Sequence, residues 1–173
     1  MPPLPEILHL ALLPTPHGDF LAHFSAQGLA RLDFPTKRER SKAIPVDELP
    51  ASCRAWAEQT QSVLLAALNP AAARHPRMTL PPLDLSCGTK FRLRVWAELR
   101  RIPRGQARSY GEIAEELGKP KAARAVGGAC GANPVPVLIP CHRVLAANGG
   151  LGGFSGGLEW KRRLLAIEGV LLT

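Results

Sequence analysis

Short alternating runs of apolar and polar residues predict two strands near the start of the chain. Residues 19–25 and 28–34 alternate on either side of Ala26–Gln27, a pattern typical of a β-hairpin. Pro35 ends the second strand, because proline has no N–H to donate to a sheet. Apolar residues at helical spacing then predict a helix over Pro50–Asn69. The first half is therefore predicted to be a small α+β unit.

The pattern changes after residue 70. Residues 71–82 are rich in Ala, Pro and His, which is typical of a linker. Lys90–Arg101 then fits an amphipathic helix with apolar residues at four-residue steps. We place a domain boundary here, which gives an α+β N-terminal domain over residues 1–85 and a mainly helical C-terminal domain over residues 86–173.

A helix, a glycine turn and a second helix follow in the C-terminal half. Ser109 and Glu112 form a capping-box pattern at the start of the first helix. Gly118 supplies the turn, and residues 121–132 are predicted to be the second helix. This arrangement is typical of the DNA-binding helix-turn-helix, although helical hairpins in enzymes share it.

Positive charge is concentrated in the same half. Residues 86–173 carry 14 Lys/Arg and 6 acidic residues, whereas residues 1–85 carry 8 of each, so the net charge of +8 belongs to the C-terminal half. Such a field attracts a polyanion such as nucleic acid. A solvated basic surface kept for solubility is the alternative.

Arg124 is the one long side chain between residues 122 and 132 of the predicted second helix. Its neighbours are small: Ala122, Ala123, Ala125, Gly127, Gly128 and Ala129. An ordinary helix is about 10–12 Å across, whereas the minor groove of DNA is only about 6 Å wide. A helix reduced to Ala and Gly can approach that groove closely, or it can pack tightly on another helix.

The composition also indicates where the protein works. No apolar run reaches the roughly 20 residues of a membrane span, and the N-terminus lacks the basic and apolar regions of a signal peptide. Cysteines occur at positions 53, 87, 130 and 141 without a CxxC pair. We therefore expect free thiols in a soluble, cytoplasmic protein, without membrane contact or a zinc ribbon.

Cys141 lies in the densest chemical motif of the chain. Prolines at positions 134, 136 and 140 stiffen the approach to it, and His142 and Arg143 follow. Cationic neighbours lower the pKa of a thiol, so we expect that of Cys141 to fall below its ordinary value of about 8.5. A buried, inert thiol beside solvent-facing His142 and Arg143 is the alternative.

Pro140–Val144 resembles the active-site motif of the O6-alkylguanine-DNA alkyltransferases, also called methylated-DNA–protein-cysteine methyltransferases. The similarity runs from about Phe91 to Gly169. It includes Val95–Trp96, Ile102–Gly105, Ser109–Ala114, Ala122–Gly127, Gly152–Gly157, Lys161 and Leu164–Gly169. The resemblance implies a winged helix-turn-helix C-terminal domain and no cofactor or metal.

The resemblance also implies a role for each site residue. Cys141 is the alkyl acceptor, His142 its base through a water, and Glu168 the residue that orients His142. Asn133 braces the loop. Tyr110 and Lys161 place a proton donor and positive charge near the guanine leaving group. The base pocket is assigned to Val144, Phe154, Ser155 and Gly156, where Phe154 replaces a frequent Tyr; DNA contacts are assigned to Arg124, Ala122, Ala123, Ala125 and Gly127.

The implied function is repair of duplex DNA. A monomer would flip O6-alkylguanine, mainly O6-methylguanine, out of the helix and move the alkyl group irreversibly to Cys141, once per molecule. A helix-turn-helix regulator would carry polar base-reading side chains where this chain has Ala and Gly. A Cys–His hydrolase would need an oxyanion hole, and related proteins that only bind damage lack the cysteine.

Overall fold

The computed structural model describes residues 2–35, 42–72 and 79–171. It divides the chain into two compact units, residues 1–87 and 88–173. That these units act as separate domains with a boundary between residues 85 and 86 stays a prediction.

The first unit is built on a three-stranded antiparallel sheet in the order β1–β2–β3. Its strands are β1 (His9–Leu13), β2 (Phe20–Ser25) and β3 (Gly28–Asp33). The predicted hairpin is confirmed, with Ser25 opposite Gly28 at the turn. Sequence analysis missed β1, because a short apolar run fits a strand and a buried helical turn equally well.

Helix α1 spans Ala51–Ala67, within the predicted range. Its buried face includes Leu64, and Leu68 just after the helix is buried too. A 3₁₀ turn over Val46–Glu48 precedes it. The first unit is thus a sheet with one long helix, as the sequence predicts.

The end of the predicted linker is bonded to the sheet. Leu29 donates its N–H to the carbonyl of Pro82 (2.8 Å) and accepts from the N–H of Asp84 (3.0 Å). Asp84 is buried and accepts a hydrogen bond from the Ser25 hydroxyl. Residues 73–78 of the predicted linker lie outside the described residues, but its end belongs to the first unit.

The described residues of the second unit, 88–171, form four α-helices and two short strands. The helices are α2 (Lys90–Leu99), α3 (Tyr110–Glu116), α4 (Ala123–Gly131) and α5 (Leu158–Ile167), with 3₁₀ turns at Pro120–Ala122 and Cys141–Arg143. The strands β4 (Arg108–Ser109) and β5 (Val144–Leu145) pair in parallel. The α+β class and the helix-turn-helix formed by α3 and α4 are confirmed. In the described part of the chain, no helix is long and apolar enough to span a membrane.

Two local features hold the helix-turn-helix in place. The capping box is present: Glu112 donates its N–H to the Ser109 hydroxyl (3.1 Å) and accepts from the Ser109 N–H (2.6 Å). The fully buried indole of Trp96 on α2 donates to the carbonyl of Ala129 on α4 (2.9 Å). The parallel pairing of β4 with β5 then brings the start of α3 beside the chain that follows Cys141.

Gly28 provides a test of the first unit. It has φ +141°, and an added Cβ would lie 2.2 Å from the carbonyl oxygen of Pro82. Gly28→Ala should therefore lower the free energy of unfolding in urea by roughly 2–4 kcal/mol. Gly128→Ala is the control, because Gly128 lies exposed in α4 with open space around it, and alanine there should be neutral or stabilising by up to about 1 kcal/mol. Equal stability of the two variants would contradict the close packing of Gly28 on Pro82.

Candidate active site

Cys141 is buried at the first position of a single 3₁₀ turn, with 3% of its surface exposed. Its N–H donates to the carbonyl of Ile139 (2.8 Å). The apolar run before it, residues 137–139, is buried as well. The backbone therefore presents the thiol at a fixed place directly before β5.

Asn133 holds the loop that leads to the cysteine. Its amide nitrogen donates to the carbonyl of Ile139 (2.8 Å) and lies 3.0 Å from Sγ of Cys141, while its amide oxygen accepts from the N–H of Val135 (3.1 Å). The side chain is buried, so each of these polar atoms has a partner inside the protein. Asn133 thus joins Val135 to Ile139 and also contacts the thiol.

Val137 marks a strained point in the same loop. It is the non-glycine residue with positive φ, 73°, in the described part of the chain, a rare conformation for a β-branched residue. The turn closes through a hydrogen bond from the Ile139 N–H to the carbonyl of Val135 (3.0 Å). Such backbone strain persists only where the surroundings enforce it, and it occurs most often at functional sites.

His142 and Glu168 form a buried pair. Nε2 of His142 lies 3.0 Å from Oε1 of Glu168, and the two side chains are 1% and 2% exposed. Arg143 forms two hydrogen bonds to the same carboxylate: its Nε donates to Oε2 (2.9 Å) and its Nη2 donates to Oε1 (2.8 Å). The end of α5 is thereby joined to the 3₁₀ turn of the cysteine.

This pairing decides which imidazole nitrogen carries the proton. An ionised carboxylate only accepts hydrogen bonds, so Nε2 of His142 must be the donor. Nδ1 is then the unprotonated nitrogen of the neutral ring. Within the described residues, Nδ1 is buried and has no hydrogen-bond partner. Its lone pair is therefore available to accept a proton.

Lys161 is fully buried on α5. Its ammonium donates to the carbonyl of Val144 (2.6 Å) and to that of Leu151. Burial lowers the pKa of Lys161, although nearby Cys141 and Cys130 oppose that shift. The ammonium therefore fixes the two ends of the segment after the cysteine as well as supplying positive charge to the site.

Tyr110 begins α3 and is half-buried. An added Cβ on Gly152 would lie 2.8 Å from its hydroxyl oxygen, so the glycine loop lies against the ring. Burial and the neighbouring Cys130 and Cys141 raise the pKa of Tyr110, whereas a hydrogen bond with the Gly153 backbone lowers it; the balance is a raised pKa. The phenol therefore keeps its proton at neutral pH.

A cavity of about 740 Å³ opens beside Tyr110, within the usual size range of ligand sites. It brings together several predicted DNA and pocket residues: Ala123, Arg124, Gly127, Phe154 and Ser155. The remaining predicted ones do not line it: Ala122, Ala125, Val144 and Gly156. Val144 instead offers its carbonyl to Lys161.

Comparisons with known proteins agree with this geometry. Residues 90–170 match the model for the DNA-binding domain of 6-O-methylguanine DNA methyltransferase. A methylated-DNA–protein-cysteine methyltransferase of Mycolicibacterium paratuberculosis is 57% identical over 86 residues, 50% of this chain and 52% of that protein. One from Salmonella typhimurium is 54% identical over 85 residues, 49% of this chain and 50% of that protein. The match thus spans about half the length of these curated relatives.

Solved structures extend the similarity to the first half. The OGT protein of Mycobacterium tuberculosis, in complex with DNA, is 37% identical, with 93% of this chain and 92% of that chain covered and a TM-score of 0.73. The chain belongs to the O6-methylguanine-DNA methyltransferase family. The O6-methylguanine-DNA methyltransferase of Pyrococcus kodakaraensis covers 94% of this chain and 99% of its own at 29% identity, with a TM-score of 0.65.

The expected low thiol pKa is wrong for this family member. Burial raises the pKa of Cys141 to about 11, although the Asn133 hydrogen bond and the charge of Lys161 lower it in part. Burial also lowers the pKa of His142, and Arg143 and Lys161 add to that effect, against Glu168. The resting pair is therefore a neutral thiol and a neutral imidazole, because desolvation penalises both charged forms.

Sequence reasoning missed the contacts of Arg143 and Arg104. It treated Arg143 only as a cation near the thiol or as a solvent-facing residue, yet the side chain is 12% exposed and also donates to the carbonyl of Ile102 (2.7 Å). Arg104 donates to the carbonyl of Ile167 (3.2 Å), beside Glu168. The position of Arg143 inside the Pro140–Val144 motif was the available signal, but its partner lies 25 residues away.

The thiol pKa of Cys141 can be measured directly. The ultraviolet absorbance of thiolate, taken as the difference between the unchanged protein and Cys141→Ser, should rise with a midpoint of about pH 11. Cys130→Ser is the control and should leave this midpoint nearly in place. A midpoint below about 8.5, the value of a free thiol, would restore the original expectation and contradict the burial argument.

Proposed function

We propose that this protein repairs O6-alkylguanine, mainly O6-methylguanine, in double-stranded DNA by moving the alkyl group irreversibly to its own Cys141. The observation that carries the proposal is the buried thiol of Cys141, 3.0 Å from the Asn133 amide and followed in the chain by the His142–Glu168 pair. Membership of the O6-methylguanine-DNA methyltransferase family supports the substrate class.

The reaction is a displacement at the alkyl carbon. His142 takes the thiol proton at Nδ1 through a water, and the thiolate forms a bond to that carbon while the bond from the carbon to O6 of guanine breaks. The electron pair of the broken bond goes to guanine, which takes up a proton, so hydrogen replaces the alkyl group on the base. The thioether product has no activated leaving group. Each molecule therefore acts once, and no cofactor is needed.

Tyr110 and Lys161 act on the leaving group and the nucleophile. The raised pKa of Tyr110 keeps its hydroxyl protonated, so it can donate to the guanine as negative charge develops there. The buried ammonium of Lys161 favours the thiolate, since its charge lowers the pKa of Cys141. Its bonds to the carbonyls of Val144 and Leu151 also hold the two ends of the segment between them.

The flipped base is read mainly by backbone groups. We assign this role to Val144, Ser155 and Gly156, with Phe154 stacking on the base. Phe154 and Ser155 lie on the cavity beside Tyr110, which supports the assignment. A guanine that leaves its duplex needs such a pocket, because unstacking costs a few kcal/mol.

Helix α4 is assigned to the minor groove of DNA. Its buried face contains Val126, Ala129 and Cys130, so helix packing explains Ala129. Ala125 and Gly128 are exposed, so packing inside the protein does not require them to be small. Insertion of the helix into the narrow minor groove would require small residues at these positions. Exposed Arg124 lies on the cavity wall, where its guanidinium can fill the gap left by the flipped base; Ala122, Ala123 and Gly127 complete the surface.

The remaining assignments concern the cellular compartment, the oligomeric state and the domain that holds the site. The four cysteines are free thiols in the described structure, which suits the reducing cytoplasm. We place the protein there, acting as a monomer on duplex DNA. The domain of residues 86–173 holds every assigned catalytic, pocket and DNA-contact residue.

Replacing the nucleophile gives the central test. Cys141→Ser should bind a methylated duplex almost normally and repair none of it, because a neutral alcohol is a far weaker nucleophile than a thiolate. The unchanged protein should consume one equivalent of O6-methylguanine and stop, with a single methyl group on the Cys141 peptide by mass spectrometry. Cys130→Ser is the control and should retain transfer. Repeated turnover, or methylation of another cysteine, would contradict the proposed transfer to Cys141.

Arg124 is tested by comparing two substrates. Arg124→Ala should slow repair of duplex DNA far more than reaction with free O6-benzylguanine, which needs no base flipping. Arg162→Ala removes the same charge from an exposed position on α5 and should lower duplex repair only slightly. Equal losses on both substrates would assign Arg124 to the pocket or the fold instead.

A further inference from the structure

Arg143 is a buried charged group that the proposed reaction does not use. Its guanidinium makes a two-point contact with Glu168 and a third bond to the carbonyl of Ile102. Side-chain exposure is 12% for Arg143 and 2% for Glu168. A planar fork that matches both carboxylate oxygens gives strong and geometrically specific hydrogen bonds.

Both carboxylate oxygens of Glu168 have hydrogen-bond partners. Oε1 accepts from His142 and from Arg143, and Oε2 accepts from Arg143 with the Gly105 N–H 3.5 Å away. Burial alone would raise the pKa of Glu168, but its hydrogen bonds with His142 and Arg143 hold that pKa well below its usual range. Glu168 thus stays ionised and keeps the proton of the imidazole on Nε2.

We propose that Arg143 is the positioning residue that keeps Nδ1 of His142 an unprotonated acceptor at neutral pH. It does so by pairing with the carboxylate of Glu168. Without this pairing, the negative charge of Glu168 would favour a protonated imidazole more strongly. The proposal rests on the proposed function, in which His142 receives the proton of Cys141. An imidazolium cannot take that proton.

Other charged side chains also influence the protonation of His142. Lys161 is cationic and disfavours imidazolium as Arg143 does, while Glu168 favours it. Arg104 interacts electrostatically with Glu168 and Arg143 and donates a hydrogen bond to the carbonyl of Ile167. Arg143 shares the partner of the imidazole through hydrogen bonds to both carboxylate oxygens of Glu168.

Two variants separate charge from geometry. Arg143→Gln removes the charge, so His142 should become protonated at a higher pH than in the unchanged protein. Alkyl transfer should then be reduced at about pH 6 and recover by about pH 8.5. Arg143→Lys keeps the charge without the fork, so transfer should slow at every pH with little change in the shape of the pH profile. Arg162→Gln, on the exposed face of α5, is the control and should change neither.

The deciding measurement is an NMR titration of the His142 ring nitrogens in the full-length protein, which needs no alkyl transfer. The unchanged protein should show a neutral ring protonated on Nε2 through the neutral range. An imidazolium or an Nδ1-protonated ring there would overturn the proposal, and this holds even if Arg143→Gln fails to fold. So would a folded Arg143→Gln variant with the titration of the unchanged protein. If the nitrogen shifts behave as expected but no methyl group reaches Cys141, the proposed function fails and the proton assignment stands.

Discussion

The buried carboxylate of Glu168 connects the end of α5 with the turn that carries Cys141. It lies at the end of α5 and accepts hydrogen bonds from His142 and Arg143 in the turn that carries Cys141. Burying a carboxylate is costly unless its oxygens are paired. Removing one partner from such a buried pair typically costs about 3–5 kcal/mol. The position of the Cys141 turn depends on this contact, and in the proposed reaction the protonation of His142 depends on it too.

Burial of the thiol has a consequence for the single-turnover reaction proposed above. With a pKa of about 11, Cys141 is almost wholly a neutral thiol at pH 7, and a neutral thiol reacts slowly with oxidants and stray electrophiles. The thiolate is needed only when an alkylated base occupies the site. A neutral imidazole held ready by Glu168 can remove the proton then, so protection and reactivity are compatible.

Local sequence signals predicted most of the helices and the hairpin of this fold. The Ser109–Glu112 capping box and the end of β3 before Pro35 depend on residues a few positions apart. Strand β1 and the bonding of Pro82 to Leu29 were not predictable in the same way. Both depend on backbone pairing with distant segments, and an apolar run or a proline-rich stretch does not specify its partner.

The same division holds for the site. The sequence by itself singled out Cys141 as the candidate nucleophile, its neighbour His142 and the arginine on α4, because these follow from residue types in one continuous motif or helix. It also led, through the family resemblance, to Glu168 and Asn133. The tertiary structure decided the direction of the thiol pKa and the partner of Arg143. Adjacent cations in the sequence favour a thiolate, but the fold removes water from Cys141 and pairs the Arg143 charge with Glu168, and desolvation then outweighs the remaining attraction.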